Sequence, residues 1–523
     1  MTTVSPPRAL TDLSEDERYA AFDELQTAMS DVWGAMRHDV DDESVVVVPS
    51  VSLEQTTARS GALMQAMEER GLFLLLLLRQ PRLRMVYVTS QEVSESIVEY
   101  YLGLLPGVIP SHARSRLTLV AVGDGSPSPL SAKLLGHPRL LSRIRSLIPN
   151  PGHSHLIPYN TTPLERDVAL SLGIPLYGAD PRLAPLGSKT GCRRLFEELG
   201  VTSPVGAEDL HSTDDLVSAV AGMRTRRPSL TEAIVKLNEG VSGAGNALVD
   251  LHGLPEPGST GEGEAIAEQL GRMQPEHPDL AVTDYLTAFE SYGGIVEERI
   301  TGGALASPSV QMRVLPDRSV ELLSTHDQLL GGASGQRYLG CVFPADPAYS
   351  RKISEPAMVI GRHLADLGVL GRFAVDFVVV EDGAGGWTAY AIELNLRKGG
   401  TTHPFLTLQY LTDGAYDGAA GVYLTPGGGT KHLVATDHLE DDRLSVLTVA
   451  ELFDIVARRR LHFDQSRQTG VMLHMFSCVT ECGRVGLTAV GDTAEDAWRL
   501  YEEACDALLG EAEQARVPEA VVG

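Results

Sequence analysis

Three quarters of the way along the chain, the apolar and polar positions predict a β-hairpin. Residues 372–380 (RFAVDFVVV) and 387–396 (WTAYAIELNL) have the β-branched and aromatic content of strands, and residues 381–386 (EDGAGG) have that of a turn. Apolar and polar side chains alternate along the second strand, as expected where only one face of a strand is buried. The hairpin is therefore predicted to separate a core face from a polar face.

The register of this hairpin decides which polar side chains meet. A pairing of Val380 with Trp387 sets the predicted register. It places Asp376 opposite Ala391, with Glu393 one diagonal step away on the same face, roughly 7 Å from Asp376. Three residues of the second strand are predicted to face the core: Tyr390, Ile392 and Leu394. Four are predicted to form the polar face: Ala391, Glu393, Asn395 and Arg397.

Two carboxylates and an amide on one face predict a cation site. Asp376, Glu393 and Asn395 offer only oxygen ligands, which suit Mg²⁺ better than zinc or copper. Magnesium held by one or two carboxylates usually serves phosphate groups. The alternative is a charged face that simply meets water, since charged side chains mostly lie outside. The rest of the chain has to decide between the two.

The N-terminal part of the chain predicts an α/β layer. From residue 45 to 157, strand-like runs alternate with helical segments, a pattern that favours a parallel sheet. The run FLLLLL at 73–78 is too short to cross a bilayer and is interpreted as a buried strand. Residues 253–282 combine a low-complexity stretch with a polar helix and are interpreted as a surface excursion.

Composition excludes several classes of protein. The 523 residues are 43% apolar, which is the globular norm, and 69 acidic residues face 43 basic ones, giving a formal charge of -26. That charge disfavours nucleic acid and anionic membranes as partners. Five scattered cysteines and a start without an apolar signal segment predict reduced thiols in the cytoplasm. The sequence leaves the oligomeric state open, with a homodimer as one option.

A glycine-rich hairpin is a candidate phosphate loop. The strand EAIVKLN carries Lys236, and the tip that follows contains Gly240, Ser242, Gly243 and Gly245 before the strand ALVDL. Glycines let the backbone approach a phosphate and present N–H donors to it. The P-loop pattern G-x-x-x-x-G-K-[ST] is absent, and a mobile hairpin turn is the simpler interpretation.

Three further segments gain weight from their order in the chain. Lys189 begins a predicted helix with Ser188 as N-cap and Gly200 as its stop. A strand in 293–303 (GGIVEERITGG) leads through 297–300 to a glycine pair, a backbone that can bind an adenine edge. Strands around the PDR turn at 316–318 place Gln311 and Arg313 on one face.

A metal site in the C-terminal part is a weaker interpretation. His474, Cys478 and Cys482 offer suitable ligand types, but no fourth ligand has a suitable spacing. The surrounding run GVMLHMFSCV is better interpreted as a buried strand.

The order of these segments resembles the ATP-grasp superfamily, in which two lobes clamp ATP between them. The resemblance implies an α/β architecture with α+β lobes, preceded by an α/β domain and followed by a small ββα cap. It implies that Lys189 and Lys236 contact the α- and β-phosphates, that residues 240–246 close over the triphosphate, and that Glu297 and Ile300 bind adenine. Asp376, Glu393 and Asn395 would hold Mg²⁺.

Domain divisions follow from this resemblance and from the composition of the segments. The predicted divisions are 1–157 (an α/β domain whose first 45 residues are an arm and a helix), 158–230 (helical), 231–300 (lid lobe), 301–415 (metal-binding lobe) and 416–523 (cap).

Two longer stretches resemble the pheganomycin-type peptide ligases of actinobacteria: ELNLRKGGTTHP at 393–404 and the run from Thr469 to Ala497. That resemblance implies natural-product biosynthesis, in which ATP activates the carboxylate of a small, even guanidino-substituted, amino acid for attack by an amino acid or peptide amine. Arg397, Lys398 and Arg313 are the predicted catalytic residues. The alternatives are phosphoryl transfer to a hydroxyl and a nucleotide-binding module without catalysis.

Overall fold

The computed structural model describes residues 10–38, 43–52, 60–240, 243, 245–277, 280–332, 335–383 and 385–516. Its three larger sheets confirm the predicted mixture of helix and sheet. Short 3-10 helices occur at Leu10–Asp12, Arg70–Arg79, Pro151–His153, Pro181–Gly187, Asp442–Val446 and Phe476–Cys478. Among the described residues, no helix combines the length and the apolar composition that a bilayer crossing requires.

The N-terminal sheet is parallel, as predicted, with the order β3-β2-β1-β4. Its strands are β1 Ser44–Val48, β2 Arg84–Thr89, β3 Leu117–Ala121 and β4 Ser154–Pro158. The helices of this region are α1 Glu15–Gln26, α2 Met29–His38, α3 Gly61–Glu69, α4 Glu95–Gly103, α5 Pro110–Arg114, α6 Leu130–Leu135, α7 Pro138–Ser146 and α8 Pro163–Leu172.

The buried strand predicted at 73–78 is wrong, because this run lies within the 3-10 helix Arg70–Arg79. Leu72, Leu75 and Leu76 are fully buried there. A run that is apolar on every side carries no period, so a strand and a buried helical turn cannot be told apart from it.

The second sheet is antiparallel and has the order β5-β9-β6-β7-β8. Its strands are β5 Gly206–Leu210, β6 Glu232–Leu237, β7 Asn246–Asp250, β8 Gln274–Pro275 and β9 Gly294–Glu298. The helices of this lobe are α9 Lys189–Glu198, α10 Thr213–Arg226, α11 Glu262–Leu270 and α12 Val282–Tyr292. The predicted hairpin around the glycine-rich tip is confirmed, since β6 pairs with β7 from Glu232 to Lys236.

The surface excursion predicted at 253–282 is wrong for its helix. Ile266 and Leu270 of α11 are fully buried in the core of this lobe. Glu262, at the start of α11, forms a buried ion pair with Arg224 of α10. The segment is polar in its overall composition, but the apolar residues of α11 lie along one side of the helix and pack on the lobe.

The third sheet has nine strands in the order β10-β14-β11-β12-β13-β18-β20-β19, and β15 pairs with the other edge of β14. The central strands are β10 Leu305–Ala306, β11 Pro308–Val314, β12 Val320–Gly331, β13 Arg337–Phe343, β14 Gly371–Glu381 and β15 Trp387–Asn395. The C-terminal strands of this sheet are β18 His432–Glu440, β19 Gly470–His474 and β20 Arg484–Gly491, whereas β16 Ala415–Asp417 and β17 Val422–Leu424 form a separate two-stranded sheet. The helices are α13 Pro347–Asp366, α14 Thr402–Thr412, α15 Val449–Arg458, α16 Val479–Cys482 and α17 Ala494–Arg516.

One apolar core joins the two ends of the chain. Leu72 and Ile97 from the N-terminal region lie in the same buried cluster as Phe405, Leu433 and Leu487. The 3-10 helix Arg70–Arg79, which supplies much of this cluster, packs on α14 and α4. The N-terminal layer and the C-terminal strands are therefore stabilised by a common burial of apolar surface.

The hairpin of β14 and β15 forms, but its predicted register is wrong. Glu381, and not Val380, pairs with Trp387, and a β-bulge lies between Asp376 and Phe377. The bulge leaves Ile392 as the extra residue of β15 and sets Asp376 directly opposite Glu393. Beyond the bulge the faces exchange: Ala391, predicted to lie on the polar face, is buried in the core.

Candidate functional site

A cavity of about 900 Å³ lies between the second and third sheets. It is near the upper limit of ordinary ligand pockets, about 300–1,000 Å³. Eleven of the fourteen predicted site residues line it: Lys189, Lys236, Gly240, Gly243, Gly245, Glu297, Ile300, Asp376, Glu393, Asn395 and Arg397. Ser242 lies outside the described residues. Arg313 and Lys398 do not line this cavity.

Asp376 and Glu393 form a carboxylate pair on the floor of the cavity. In the sheet, Asp376 of β14 pairs with Ser309 of β11 on one side and with Glu393 of β15 on the other. Burial and the negative charge of Glu393 raise the pKa of Asp376 to about 6. The amide of Asn395 donates from Nδ2 to Asp376 Oδ2 at 3.0 Å. Two like charges placed this close predict that a cation belongs between them.

Lys189 neutralises one of the two carboxylates. Its Nζ donates to Glu393 Oε1 at 2.6 Å. Burial alone would raise the pKa of Glu393, but the charge and hydrogen bond of Lys189, with the charges of Arg397 and Lys236, together lower it. This contact leaves the charge of Asp376 without a matching cation in the described part of the chain. Asp376, Glu393 and Asn395 are an all-oxygen donor set, so they fit Mg²⁺ as ligands.

The position of Lys189 is fixed by the neighbouring strand. Ser188 caps α9 by accepting from Gly191 N at 3.0 Å, which confirms the predicted N-cap, and Gly200 follows the helix with a φ of 64°. The residue just after β6, Asn238, accepts from Lys189 N at 3.1 Å and, through its side chain, from Thr190 N at 3.0 Å. The start of α9 is thereby tied to the strand that carries Lys236.

Lys236 and Glu297 form a second buried pair. Lys236 Nζ donates to Glu297 Oε1, and Arg193 lies 3.5 Å from the other carboxylate oxygen. Both Lys236 and Glu297 are buried. Glu297, predicted to bind adenine, lines the cavity together with Ile300, but its side chain is committed to two cations.

The glycine-rich tip lies over the cavity and contacts the opposite lobe. Gly243 has a φ of 79°, in the left-handed region that favours glycine. A Cβ at this position would lie 2.6 Å from the carbonyl oxygen of Gln336, just before β13. Asn246 Nδ2 also donates to Gln336 Oε1 at 2.6 Å. Such contacts close the lid lobe onto the third sheet, and only a residue without a side chain fits at 243.

Of the three predicted catalytic residues, Arg397 is the one that lines the cavity. Its Nη1 donates to the main-chain oxygen of Lys398 at 3.2 Å. Within the described residues it has no ion-pair partner, although Asp376 and Glu393 lie near enough for its charge to lower their pKa values. A guanidinium with free donors beside a carboxylate pair is suited to bind an anion.

Arg313 and Lys398 lie elsewhere. Arg313 Nε is 2.5 Å from Glu321 Oε2, and its guanidinium stacks over Trp33 at 5.7 Å. The bulge beside Gln311 and Met312 lies in β12, where Leu323 is the extra residue, so the alternation of β11 is unbroken. Arg313 lies two residues beyond Gln311 along β11, and of the two only Gln311 lines the cavity. Lys398 Nζ donates to the main-chain oxygen of Pro158 beneath the cavity.

A second polar cluster was missed from the sequence. Asp437 Oδ1 is 2.8 Å from His474 Nε2 and 3.1 Å from His403 Nε2, and Oδ2 is 2.6 Å from Arg70 Nη1. Arg484 Nε donates to the main-chain oxygen of Asp437 at 2.6 Å. Arg70, Asp437 and Arg484 line the cavity. From the sequence, His474 was a candidate ligand only together with Cys478 and Cys482, and no local pattern links it to Arg70 or Asp437.

The buried strand predicted at 470–479 is confirmed for its first half only, since a 3-10 helix follows at Phe476–Cys478. β19 ends at His474, and Cys478 Sγ lies against the main-chain oxygens of Met475 and Arg484. All five cysteines are free thiols.

Comparison with known proteins identifies relatives of this arrangement. Residues 181–266 and 281–419 match the family model described as IQCH-like, ATP-grasp, and residues 451–504 match the one described as PGM1 C-terminal domain. The chain is 29% identical over 451 residues to L-propargylglycine–L-glutamate ligase of Streptantibioticus cattleyicolor. That match covers 84% of this chain and 89% of the relative.

Solved structures share the fold. The ADP complex of N5-carboxyaminoimidazole ribonucleotide synthetase superposes with a TM-score of 0.52 at 10% identity, over 91% of this chain and 99% of that one. The biotin carboxylase domain of Hydrogenobacter thermophilus 2-oxoglutarate carboxylase, with MgADP, ADP and bicarbonate, gives 0.52 at 12% identity, over 90% and 94%.

Proposed function

The chain belongs to the ATP-grasp superfamily, and from that premise we propose that it joins a carboxylate to an amine through an acyl phosphate, with release of ADP and phosphate. One observation carries this proposal: Arg397, which has no ion-pair partner among the residues that the structure describes, lies in the same cavity as the Asp376–Glu393 pair. A site for MgATP needs the carboxylate pair. A site that also activates an acid needs a further cation for the group that receives the phosphoryl.

The proposed reaction has two steps. A carboxylate oxygen of the donor attacks the γ-phosphorus, the bond to the bridging oxygen of ADP breaks, and an acyl phosphate forms. The amine then attacks the acyl carbon, loses a proton, and expels phosphate that carries the former carboxylate oxygen. Because two anions meet in the first step, the side chains around them must neutralise charge.

Each residue of the cavity has a proposed role in that neutralisation. Lys189 and Lys236 bind phosphate oxygens at the roof, and the amides of the glycine-rich tip cover them. Asp376, Glu393 and Asn395 would hold Mg²⁺, which supplies charge neutralisation and orientation to the phosphates when bound. Arg397 holds the transferring group or the developing oxyanion.

The substrates are proposed by class. The relative named for L-propargylglycine and L-glutamate supports a small amino acid as the donor and an amino acid or peptide as the acceptor, in natural-product biosynthesis. A guanidino-substituted donor belongs to the same class. The negative charge of the chain, -26, supports small-molecule substrates and not nucleic acid or anionic membranes.

Hydroxylamine tests the chemistry without knowledge of the acceptor. Purified protein with MgATP and a panel of amino acids is expected to form a hydroxamate with the correct donor, because hydroxylamine attacks an acyl phosphate. With that donor labelled by ¹⁸O in its carboxylate, one ¹⁸O is expected in the released phosphate. ADP formation with a hydroxyl substrate and no hydroxamate would instead support phosphoryl transfer, and the proposal would be abandoned.

A further inference from the structure

We propose that Arg70 and Arg484 form a subsite for the carboxylate of the acceptor amino acid. The inference rests on the proposed ligase function and names a part of it, the group by which the amine substrate is held. In an acid–amine ligation the carboxylate of the donor is consumed, whereas that of an amino-acid acceptor stays an anion throughout. The cavity therefore needs a second anion site, distinct from the one that serves the reacting carboxylate.

Arg484 is a buried guanidinium that forms no ion pair within the described residues, although the charges of Asp437 and Glu440 act on it. It begins β20, is 6% exposed and lines the cavity. Its Nε donates to the main-chain oxygen of Asp437, and its Nη2 is buried without a hydrogen-bond partner within the described residues. A buried charge with an unused donor is unfavourable unless an anion completes it. A carboxylate bound from the cavity side would accept from that donor.

The neighbouring carboxylate is already saturated. Asp437 Oδ1 accepts from the two imidazoles, and Oδ2 accepts from Arg70. Burial alone would raise the pKa of Asp437, but the charges of His403 and Arg70 and these hydrogen bonds hold it well below its ordinary value. Asp437 is therefore ion-paired with Arg70, and its charge also acts on Arg484, so the two guanidinium groups share one carboxylate. Glu440, whose charge also acts on Arg484, is ion-paired with Arg337, so one positive charge remains for a ligand.

The subsite connects to the reactive end of the cavity through Tyr159. The Arg70 guanidinium lies 5.2 Å from the centre of the Tyr159 ring. Burial raises the pKa of Tyr159, but the charges of Arg70 and Arg397 together lower it below its ordinary value. Lys398 N, next to Arg397 in the chain, donates to the main-chain oxygen of Tyr159 at 3.3 Å, so Tyr159 adjoins both the cation proposed to act on the acyl group and the one proposed to hold the acceptor. An amino acid anchored at Arg484 and Arg70 would point its amine toward Arg397.

A metal ion is a poorer interpretation of the same cluster. The ligand atoms of His403, Asp437 and His474 lie close together and suit a transition metal by type. Arg70, however, is ion-paired to this carboxylate, and Arg484 is bonded to the same residue. Two guanidinium groups this close repel a divalent cation. The histidines are instead the buried support of Asp437.

The test compares an acceptor with its carboxamide. L-Glutamate is used first, with its α-amide and its γ-amide, in a coupled ADP assay with the donor identified by hydroxamate formation. For the wild-type protein, removal of the anchored carboxylate is expected to raise KM by about 10- to 100-fold. In Arg484→Gln, KM for the acid is expected to rise by the same factor, and the acid and the amide become alike. Arg484→Lys keeps the positive charge, so its KM for the acid is expected to lie between the values of the wild type and Arg484→Gln.

Hydroxylamine separates this subsite from the ligase chemistry. It carries no carboxylate, so hydroxamate formation by Arg484→Gln is expected to match the wild type within about twofold. Arg351→Gln, an exposed change on α13, is the matched control and keeps the acid preference. A preserved acid preference in Arg484→Gln, or equal losses with glutamate and hydroxylamine, would overturn the subsite. Absence of hydroxamate from the wild type would overturn the proposed function itself.

Discussion

Asp376 and Glu393 lie directly opposite each other on adjacent strands, with the bulge at Ile392 immediately beside them. A regular hairpin of the predicted register would have separated them by a diagonal step. The bulge brings two carboxylates into one small volume and leaves a single lysine, Lys189, to offset them. The floor of the cavity therefore carries an excess of negative charge that a bound cation would neutralise, and variants can test this.

Removal of the Asp376 carboxylate is expected to separate stability from activity, because Glu393, and not Asp376, is the carboxylate paired with Lys189. Asp376→Asn should lower MgATP-dependent turnover by about 100-fold or more, as for loss of one group that stabilises transition-state charge. The same change removes a like-charge contact, so the metal-free protein should melt at an equal or higher temperature at pH 8. Turnover by ADP release and thermal melting check the two effects. Asp366→Asn, at an exposed position on α13, is the control and should change neither.

Arg397 and Arg313 give a matched pair of arginine variants. Arg397→Ala should fold and bind ATP but lose about 3 kcal/mol of transition-state stabilisation, roughly 100-fold in turnover. Arg313→Ala should keep turnover within about threefold, because Arg313 is paired with Glu321 outside the cavity and a partly exposed pair contributes little. Steady-state kinetics measure the turnover of each variant, and calorimetry measures its binding of ATP. Equal losses in both variants would contradict the assignment.

The glycine-rich tip predicts a difference between two Gly→Ala changes. At Gly243 a Cβ would meet the Gln336 carbonyl oxygen at 2.6 Å in a left-handed backbone, so Gly243→Ala should hinder closure of the lid and raise KM for ATP by about 10-fold or more. At Gly240 the nearest atom to a Cβ is 3.6 Å away, and Gly240→Ala should raise KM much less. Similar KM values for the two variants would mean that the contact at Gln336 does not form in solution.

Lys398 predicts a pH dependence of stability. Burial and the charge of Arg372 lower its pKa to about 7, so the native state binds this proton more weakly than the unfolded chain does. The stabilising contribution is complete above the ordinary lysine pKa and is lost as pH falls toward 7. The free energy of unfolding of the wild type, relative to that of Lys398→Met, should therefore rise by about 1.4 kcal/mol per pH unit from pH 7 to 9. Below about pH 6.5 the difference between the two proteins should stay constant.

Thermal melts of Lys398→Met and wild type across pH 6 to 9 measure that slope. Lys352→Met, which removes an exposed lysine of α13, provides the comparison. Its melting difference from the wild type should not vary with pH in this range, and a matching slope there would remove Lys398 as the cause.

The sequence predicted much of the site because its signals are local. Lys189 follows a helix cap, Lys236 precedes a glycine-rich tip, and Glu393 and Asn395 alternate along one strand. Each motif can be identified from its own residue spacing, and the order of the motifs along the chain supported their assignment to one site. The structure brings all four residues to one cavity.

What the sequence could not predict depends on contacts between distant segments. The bulge at Ile392 changes the register of β15 against β14. It is not visible in one strand alone, since a bulge is a mismatch between two. Arg313 follows Gln311 by two residues in the unbroken register of β11, and only the assembled sheets show that the cavity reaches Gln311 and not Arg313. Arg70 and Arg484 are separated by most of the chain and meet only because β20 joins the third sheet beside the N-terminal layer.

The apolar core shared by the N-terminal layer and the C-terminal strands limits how relatives of this chain can exchange parts. Leu72 and Leu487 belong to one buried cluster, as Arg70 and Arg484 belong to one polar one. A chimera that replaces only the first 157 residues would mismatch both the packing and the charge of its new partner. Recombination that preserves folding, in the laboratory or in evolution, would have to transfer the two ends of the chain together, and any selectivity they encode would travel as one unit.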